Sequence, residues 1–333
     1  MKIAFCHHLS MGYNAGGEQE IAQVARELAE RGHDVRIYAM PLTFGGRERV
    51  NPRALLGEIP YQERWFHRVD CDVTYITYSP FSLVSFRTRA PKVAGFHSGV
   101  WFRKPSFSYG TIPLLAKLAY DAIGYPELRR FDAIHVHDEY LRNTFESLRR
   151  PIFCVPHPID LETFKPTEHK NGRFRVLYCG RPSWAKGFDT FLDLANEMKD
   201  DGIEFAWLGG DSRYSNVNTL GFALDPREVA AIMGDAHLLI EPQRINTIGR
   251  TALEAVAVGT TVLLRVERGV IPELPSIVFV ESKSEMKRRI TEYKRAWEEG
   301  SIRSNWRTNR NALDRYSVEK VANSYEEMFA SLI

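Results

Sequence analysis

A chain of 333 residues is too long for one ordinary core and, at roughly 150 residues per domain, is expected to fold as two. Its composition, 44% hydrophobic and 26% charged with 17 prolines and 23 glycines, excludes disordered, collagen-like and low-complexity classes. With 44 lysines and arginines against 42 acids the net charge is +2, so no global basic field recruits nucleic acid and charge-driven contacts must be local. The four cysteines, Cys6, Cys71, Cys154 and Cys179, form no C-x-x-C pair and read as buried thiols of a reducing compartment. The opening MKIAFCHH is too short in apolar length for a signal peptide, and no later segment approaches 18 uninterrupted apolar residues, so no transmembrane helix is expected.

Short apolar runs rich in β-branched and aromatic residues recur at 2–6, 35–39, 73–78, 92–97, 133–137 and 152–155. Their apolarity is continuous rather than alternating, which suits strands buried on both faces. Between the first two runs, Ile21, Val24, Ala25 and Leu28 repeat at helical spacing and Gly32 stands where a C-terminal cap belongs, giving a strand-helix-strand unit. The pattern repeats from 173, with strand-like runs at 174–178, 204–208, 237–240, 261–265 and 277–280 between amphipathic stretches such as 187–199 and 226–234. The polar stretch 166–172 (PTEHKNG) is the candidate boundary between the two α/β halves. The chain closes on an amphipathic helix carrying Val318, Val321, Ala322, Tyr325 and Phe329 on one face, with Ser317 as its N-cap.

Three places carry residues suited to chemistry. Gly16-Gly17 precede the first helix, where exposed N–H groups favour an anion; the pair offers either a phosphate or sugar site or a flexible turn, and without G-x-G-x-x-G a dinucleotide site has little support. After the strand ending at Cys179, Arg181 and Lys186 flank another helix start; they are either two solvated cations or a charge-assisted clamp for a diphosphate. In LLIEPQRINTIGRTALEAVAVGTTVLL a strand ends near Glu241, Gly249 precedes a helix, and Glu254 sits among alanines and valines. A carboxylate in that setting requires a partner, either a ribose hydroxyl or an arginine such as Arg181 or Arg250.

These segments together resemble glycosyltransferase family 4. The resemblance runs through GGEQEIAQVARELAERGHDV, the strand ending at His97, VPHPIDLETFKP, GRPSWAKGFDTF, EAVAVGTTV and the closing SYEEMF. It implies an α/β chain of GT-B architecture, two Rossmann-like domains whose parallel sheets face an interdomain cleft. Residues 1–168 would form an acceptor-binding domain, 169–312 a domain binding the nucleotide-sugar donor, and 313–333 a terminal helix crossing back onto the first. The implied activity is hexosyltransferase-type: a retaining, metal-independent transfer of sugar from a nucleotide-sugar to a glycan or lipid-linked acceptor. Arg181 and Lys186 would act on the diphosphate as catalytic residues with His97 near the transferring sugar. Gly16, Gly17, Asn246, Thr247, Ile248, Gly249 and Glu254 would hold the donor, Glu254 at the ribose. No cofactor or metal is implied beyond the nucleotide-sugar co-substrate, and Asp70-Cys71-Asp72 fits a surface turn better than a metal site. Of the strand-end histidines His7, His8, His135 and His137 are expected to be satisfied within the protein.

Two departures from the family stand out. Asn246 occupies the place of the first glutamate in the family's Glu-x7-Glu pair, trading charged hydrogen bonds to the sugar for weaker neutral ones. His157-Pro158 replaces the usual Asn-Gly. An altered sugar or weakened activity follows from the first, which keeps open a non-catalytic sugar-nucleotide-binding protein, and the same fold also admits a sugar-nucleotide epimerase. From Val73 through Tyr120 there is no acid, while Arg87, Arg89, Arg103 and Lys104 are interleaved with aromatics including Trp101. Such a face is either an ordinary acceptor-domain wall or a peripheral contact with an anionic membrane, which in a cytoplasmic protein would be the inner leaflet. Nucleic acid is not expected as a partner.

Overall fold

The computed structural model describes residues 1–14, 16–43, 50–96, 120–166, 172–244, 248–265, 274–301 and 306–333. Two compact units emerge. The chain passes from the first to the second at Pro158–Ile159 and returns at Arg315–Tyr316. Upstream of the polar stretch, residues 159–166 already belong to the second unit: Arg310 donates to the Leu161 carbonyl (2.9 Å) and to Glu162 (3.0 Å), and Asp160 closes a turn onto Thr163.

In the first unit β1 (Lys2–His7), α1 (Gly16–Glu30) and β2 (Asp34–Ala39) form the strand-helix-strand unit that the spacing predicts. There follow α2 (Pro52–Leu56), β3 (Tyr61–Glu63), β4 (His67–Arg68), β5 (Val73–Thr77), α3 (Ser82–Ser85), β6 (Phe86–Arg87) and β7 (Lys92–Gly95). After these come α4 (Tyr125–Leu128), β8 (Ala133–Val136), α5 (Glu139–Phe145) and β9 (Ile152–Cys154). Seven strands lie in the order β3-β2-β1-β5-β7-β8-β9, all parallel, with β4 and β6 as a separate pair. The interior strands are buried on both faces, which is why their sequences run apolar without alternation. Gly32, at φ +88°, ends α1 with its N–H on the Ala29 carbonyl, a conformation a side chain would resist. The thiols depart from expectation: Cys6 is buried, Cys71 and Cys179 are half-buried, and Cys154 is exposed because β9 is an edge strand paired only with β8.

The second unit holds β10 (Phe174–Cys179), α6 (Phe188–Glu197), β11 (Ile203–Leu208), β12 (Asn218–Thr219), α7 (Pro226–Gly234), β13 (Leu238–Glu241) and α8 (Arg250–Ala257). It continues with β14 (Thr261–Leu264), β15 (Ile277–Phe279), α9 (Lys283–Glu298) and α10 (Trp306–Leu313). Its six strands are again all parallel, in the order β12-β11-β10-β13-β14-β15. Strand order reverses direction at β10, which pairs with β11 on one side and β13 on the other. Loops leaving the carboxyl ends of β10 and β13 must therefore diverge, and in such sheets that divergence is where ligands are held.

The last helix, α11 (Val318–Ala330), belongs to the first unit, its Ser317 hydroxyl accepting from the Lys320 N–H. Val321, Ala322, Tyr325, Met328 and Phe329 pack with Ile21, Val24, Ala25 and Leu28 of α1 and with Phe5 and Tyr75. Arg31 binds Glu326 (3.2 Å) and the Glu319 carbonyl (2.9 Å), and His33 meets Glu326 at 2.9 Å. The Phe329 ring, fully buried, lies 6.0 Å from Phe5 and 6.4 Å from Tyr75. Phe329→Ala is expected to lower the stability of this unit by about 3–5 kcal/mol. Urea denaturation followed by circular dichroism measures it, and a loss below about 1 kcal/mol would show that α11 is not integral to the core.

Candidate functional site

At the switch point of the second unit the backbone is bare. Gly180 and Gly209 both adopt φ +138°, and a Cβ on Gly209 would stand 2.3 Å from the Gly180 carbonyl oxygen. Trp207 donates its indole N–H to that same carbonyl at 2.9 Å, fixing the ends of β10 and β11 against each other. Gly187 sits at φ +72°, where a Cβ would fall 2.0 Å from the Pro242 carbonyl oxygen. Glycine is required at 187 twice over, for the left-handed backbone and for the close approach of the two loops.

Arg244 latches those loops together. Its guanidinium binds both oxygens of Asp189 at 2.7 Å and stacks 4.7 Å over the Trp184 ring, and the Arg244 main-chain N–H donates to the Ala185 carbonyl at 2.9 Å. The Arg244 hydrogen bonds hold the Asp189 carboxyl below the usual carboxylate range. A planar fork that is bidentate and stacked at once fixes the register of the loop after β13 against the loop after β10.

The latch brings Lys186, Glu241 and Gly249 together. Lys186 Nζ lies 3.3 Å, and the Glu241 carboxylate oxygens 3.7 and 4.0 Å, from the point a Cβ on Gly249 would occupy. Gly249 precedes α8 in extended conformation, offers no side chain of its own to cap the helix, and no acid stands in the first turn. A side chain at 249 would fill this cradle. Glu254, one turn into α8, is paired with Arg250 at 3.0 Å, the arginine option that its burial had left open. Glu241 has no such partner: it is 6% exposed, and its Oε2 has no hydrogen bond among the described residues. Burial holds its carboxyl above the usual range, the Lys186 ammonium pulls it back down, and Glu254 adds to the rise. The same surroundings raise the Cys179 thiol, chiefly through burial and then through Glu254 and Glu241.

The other expected residues are placed as follows. Arg181 opens the loop after β10 with an exposed side chain, its carbonyl accepting from the Tyr178 hydroxyl at 3.2 Å. Ile248 is buried. His97, Trp101, Arg103, Lys104, Asn246 and Thr247 lie outside the described residues. In the first unit Gly16 is exposed, and a Cβ there would meet nothing within 4 Å, while Gly17 is half-buried. Arg87 and Arg89 line a cavity of about 1070 Å³ with Phe66, Arg68 and Asp70. Asp70-Cys71-Asp72 is a turn, Asp72 accepting the Lys2 N–H at 2.7 Å.

The histidines of the first unit are partnered. His7 and His8 bond the Leu9 and Thr77 carbonyls, and His135 and His137 each donate to the Val155 carbonyl at 2.9 Å. Among the described residues one group could hold a metal, Glu20 with His137 and His157, whose ligand atoms lie within 4.8 Å of one another. The two rings stack at 3.7 Å with their planes 28° apart, and His157 Nδ1 is engaged with Glu20 at 2.7 Å. The geometry is that of a hydrogen-bonded polar core. Sequence reading passed over Glu241, Arg244 and Glu20. The available signal for Glu241 was a carboxylate closing the apolar run LLI of a strand buried on both faces.

With this geometry in view, comparison with known proteins assigns the fold. Residues 15–163 match the model of Glycosyltransferase Family 4, bearing out the resemblance read from the sequence. Among solved structures, a sucrose-phosphate synthase from Thermosynechococcus elongatus aligns with a TM-score of 0.74 at 16% identity, over 100% of this chain and 99% of that one. The Anabaena protein HepE, solved with UDP and glucose, aligns equally well, with a TM-score of 0.74 at 16% identity over 100% of both chains. An α-glucosyltransferase solved with UDP and a 13-mer DNA aligns at 0.66 and 13% identity over 99% of both. No curated protein matches the sequence. The chain is an α/β protein with the GT-B glycosyltransferase fold.

The unpaired carboxylate of Glu241 yields a prediction. Its raised value means that the folded state resists ionisation, so it destabilises the protein as pH rises from the ordinary carboxylate range through the raised value, fully above it and not at all below. Glu241→Gln is therefore expected to raise the thermal midpoint at pH 8 and leave it unchanged at about pH 4, as measured by calorimetry. A variant less stable at both pH values would contradict this.

Proposed function

We propose that the protein is a retaining glycosyltransferase of hexosyltransferase type, moving a sugar from a nucleotide-sugar to a glycan or lipid-linked acceptor, with the donor in the second unit and the acceptor in the first. The observation that carries this reading is the start of α8 at Gly249, where Lys186 Nζ and Glu241 meet at the switch point of the sheet. Helix N–H groups and an ammonium together suit a diphosphate, whose charge grows as the glycosidic bond breaks. Arg181 on the same loop adds a guanidinium, and such a cradle performs the electrostatic work of a divalent cation, so the reaction is read as metal-independent. The base would rest near Leu220 to Phe222, where the Leu220 N–H meets the Trp207 carbonyl and the Gly209 N–H meets that of Gly221, both at 2.8 Å. His97 and Asn246 would face the sugar, with Gly16 and Gly17 on the phosphate side. Solved relatives of this fold that hold UDP support the donor class.

The reading is tested by thermal unfolding with UDP, GDP, ADP and dTDP, with and without EDTA. A nucleotide at 100 times its dissociation constant is expected to add about 2.7 kcal/mol, undiminished by EDTA. Lys186→Ala is expected to weaken the binding by about 1.5–3 kcal/mol, roughly 10- to 150-fold. Stabilisation by none of the four would set the donor reading aside, and loss on adding EDTA would overturn metal independence.

A peripheral contact with an anionic membrane is part of the proposal. Phe66, 68% exposed, lines the cavity with Arg68, Arg87 and Arg89, and its chain neighbour Trp65 is 52% exposed, a basic and aromatic combination suited to a lipid-phosphate surface. No helix among the described residues is long and apolar enough to cross a membrane. The protein is expected to sediment with anionic vesicles at low salt and be released at high salt. Sedimentation independent of lipid charge would remove the idea. With four free cysteines the chain suits a reducing cytoplasm.

A further inference from the structure

Glu241 stands in the cradle where the ligand's negative charge would sit, an unexpected place for a carboxylate. The side chain is 6% exposed, its Oε2 has no hydrogen-bond partner among the described residues, and both oxygens lie within 4.0 Å of the Cβ position of Gly249 at the start of α8. Its main chain is fully committed to the sheet: the Arg265 N–H donates to its carbonyl at 3.0 Å, and Glu241 pairs with Leu264. A buried oxygen without a partner is costly and is retained where a ligand supplies the missing bond. The other acid of the site, Glu254, is held by Arg250 and lacks that incentive.

We propose that Glu241 is a ligand-contacting acid of the donor site, which takes up one proton from solvent when a nucleoside diphosphate binds and donates it in a hydrogen bond to a phosphate oxygen. This rests on the reading of the second unit as a donor site. The electrostatics run in one direction. In the empty protein the Lys186 ammonium favours the carboxylate, while burial and Glu254 oppose it. A bound diphosphate draws the ammonium to itself and places fresh negative charge beside the carboxylate, so both changes favour the acid form. Protonation converts an oxygen that can only accept into a hydroxyl that can donate, and phosphate oxygens can only accept.

The titratable and charged groups around Glu241 are Lys186 on the loop before α6, Tyr178 and Cys179 on β10, and Arg250 and Glu254 on α8. Burial raises both the Tyr178 phenol and the Cys179 thiol, so both stay neutral through the range of the experiment, and Glu254 and Arg250 are paired.

The test is isothermal titration calorimetry of UDP, GDP, ADP and dTDP with the full chain, in buffers of different protonation enthalpy and at several pH values. For the nucleotide that binds, the unmodified protein is expected to take up about one proton more than the Glu241→Gln variant, whose amide mimics the neutral acid. Relative to that variant, its affinity falls by up to about tenfold per pH unit at alkaline pH. The nucleotide's own titration is common to both proteins and cancels in the difference. Proton uptake by the unmodified protein beyond the nucleotide's own is expected as well, and this needs no variant. Equal uptake in the two proteins, or an affinity ratio constant with pH, overturns the proposal and leaves the donor site standing. Binding of none of the four nucleotides overturns both.

Discussion

The second unit is organised around one unfavourable contact: a carboxylate withdrawn from water at the carboxyl end of β13, beside an ammonium and the start of a helix. Isolated, such a group would neutralise or be lost to substitution by a residue that packs better. The surrounding features keep it in place. Arg244 ties the two loops by a bidentate and stacked guanidinium, Gly187 allows the Pro242 carbonyl to approach, and Gly249 leaves the cradle open. Each of these costs conformational freedom or packing, and together they fix Lys186, Glu241 and Gly249 against one another.

The first unit treats its buried acids in the opposite way. Glu20, 1% exposed, meets His157 at 2.7 Å, His137 at 3.3 Å and the Tyr325 hydroxyl at 3.4 Å, and Glu18 meets His7 at 3.5 Å. These contacts join α1 to the ends of β1, β8 and β9 and to α11, so charge there serves cohesion. One chain thus contains a satisfied acid cluster that binds its elements together and a buried acid at the end of β13 whose Oε2 has no hydrogen bond among the described residues. The two acids are about equally buried and differ in hydrogen bonding, which makes the unpartnered one the candidate for a ligand.

A likeness at 16% identity over the full chain transmits the reversal of strand order at β10 and the placement of loops at the carboxyl ends of the strands. It does not transmit the side chains that fill those loops. Asn246 and Glu241 are features of this chain: the amide stands where the family places a carboxylate, and a carboxylate stands five residues earlier, at the end of the strand.

How much could be read in advance follows from the range of each interaction. The strands at 2–7, 34–39, 174–179 and 203–208, the glycine at the end of α1 and the Ser317 cap were legible because burial on both faces and helix capping are local properties that leave a periodic trace. The short edge strands at 61–63 and 218–219 left none, since their side chains are largely solvated and their pairing is supplied by a neighbour. Lys186, Gly249 and Glu254 could be singled out by type and place, and the ion pair of Glu254 was already one of two options. Only the tertiary structure chose Arg250 for it and set Glu241 beside Lys186, 55 positions apart in the chain. Helical spacing and capping are decided within a few residues, whereas the cost of an unpaired charge depends on what the folded chain places around it.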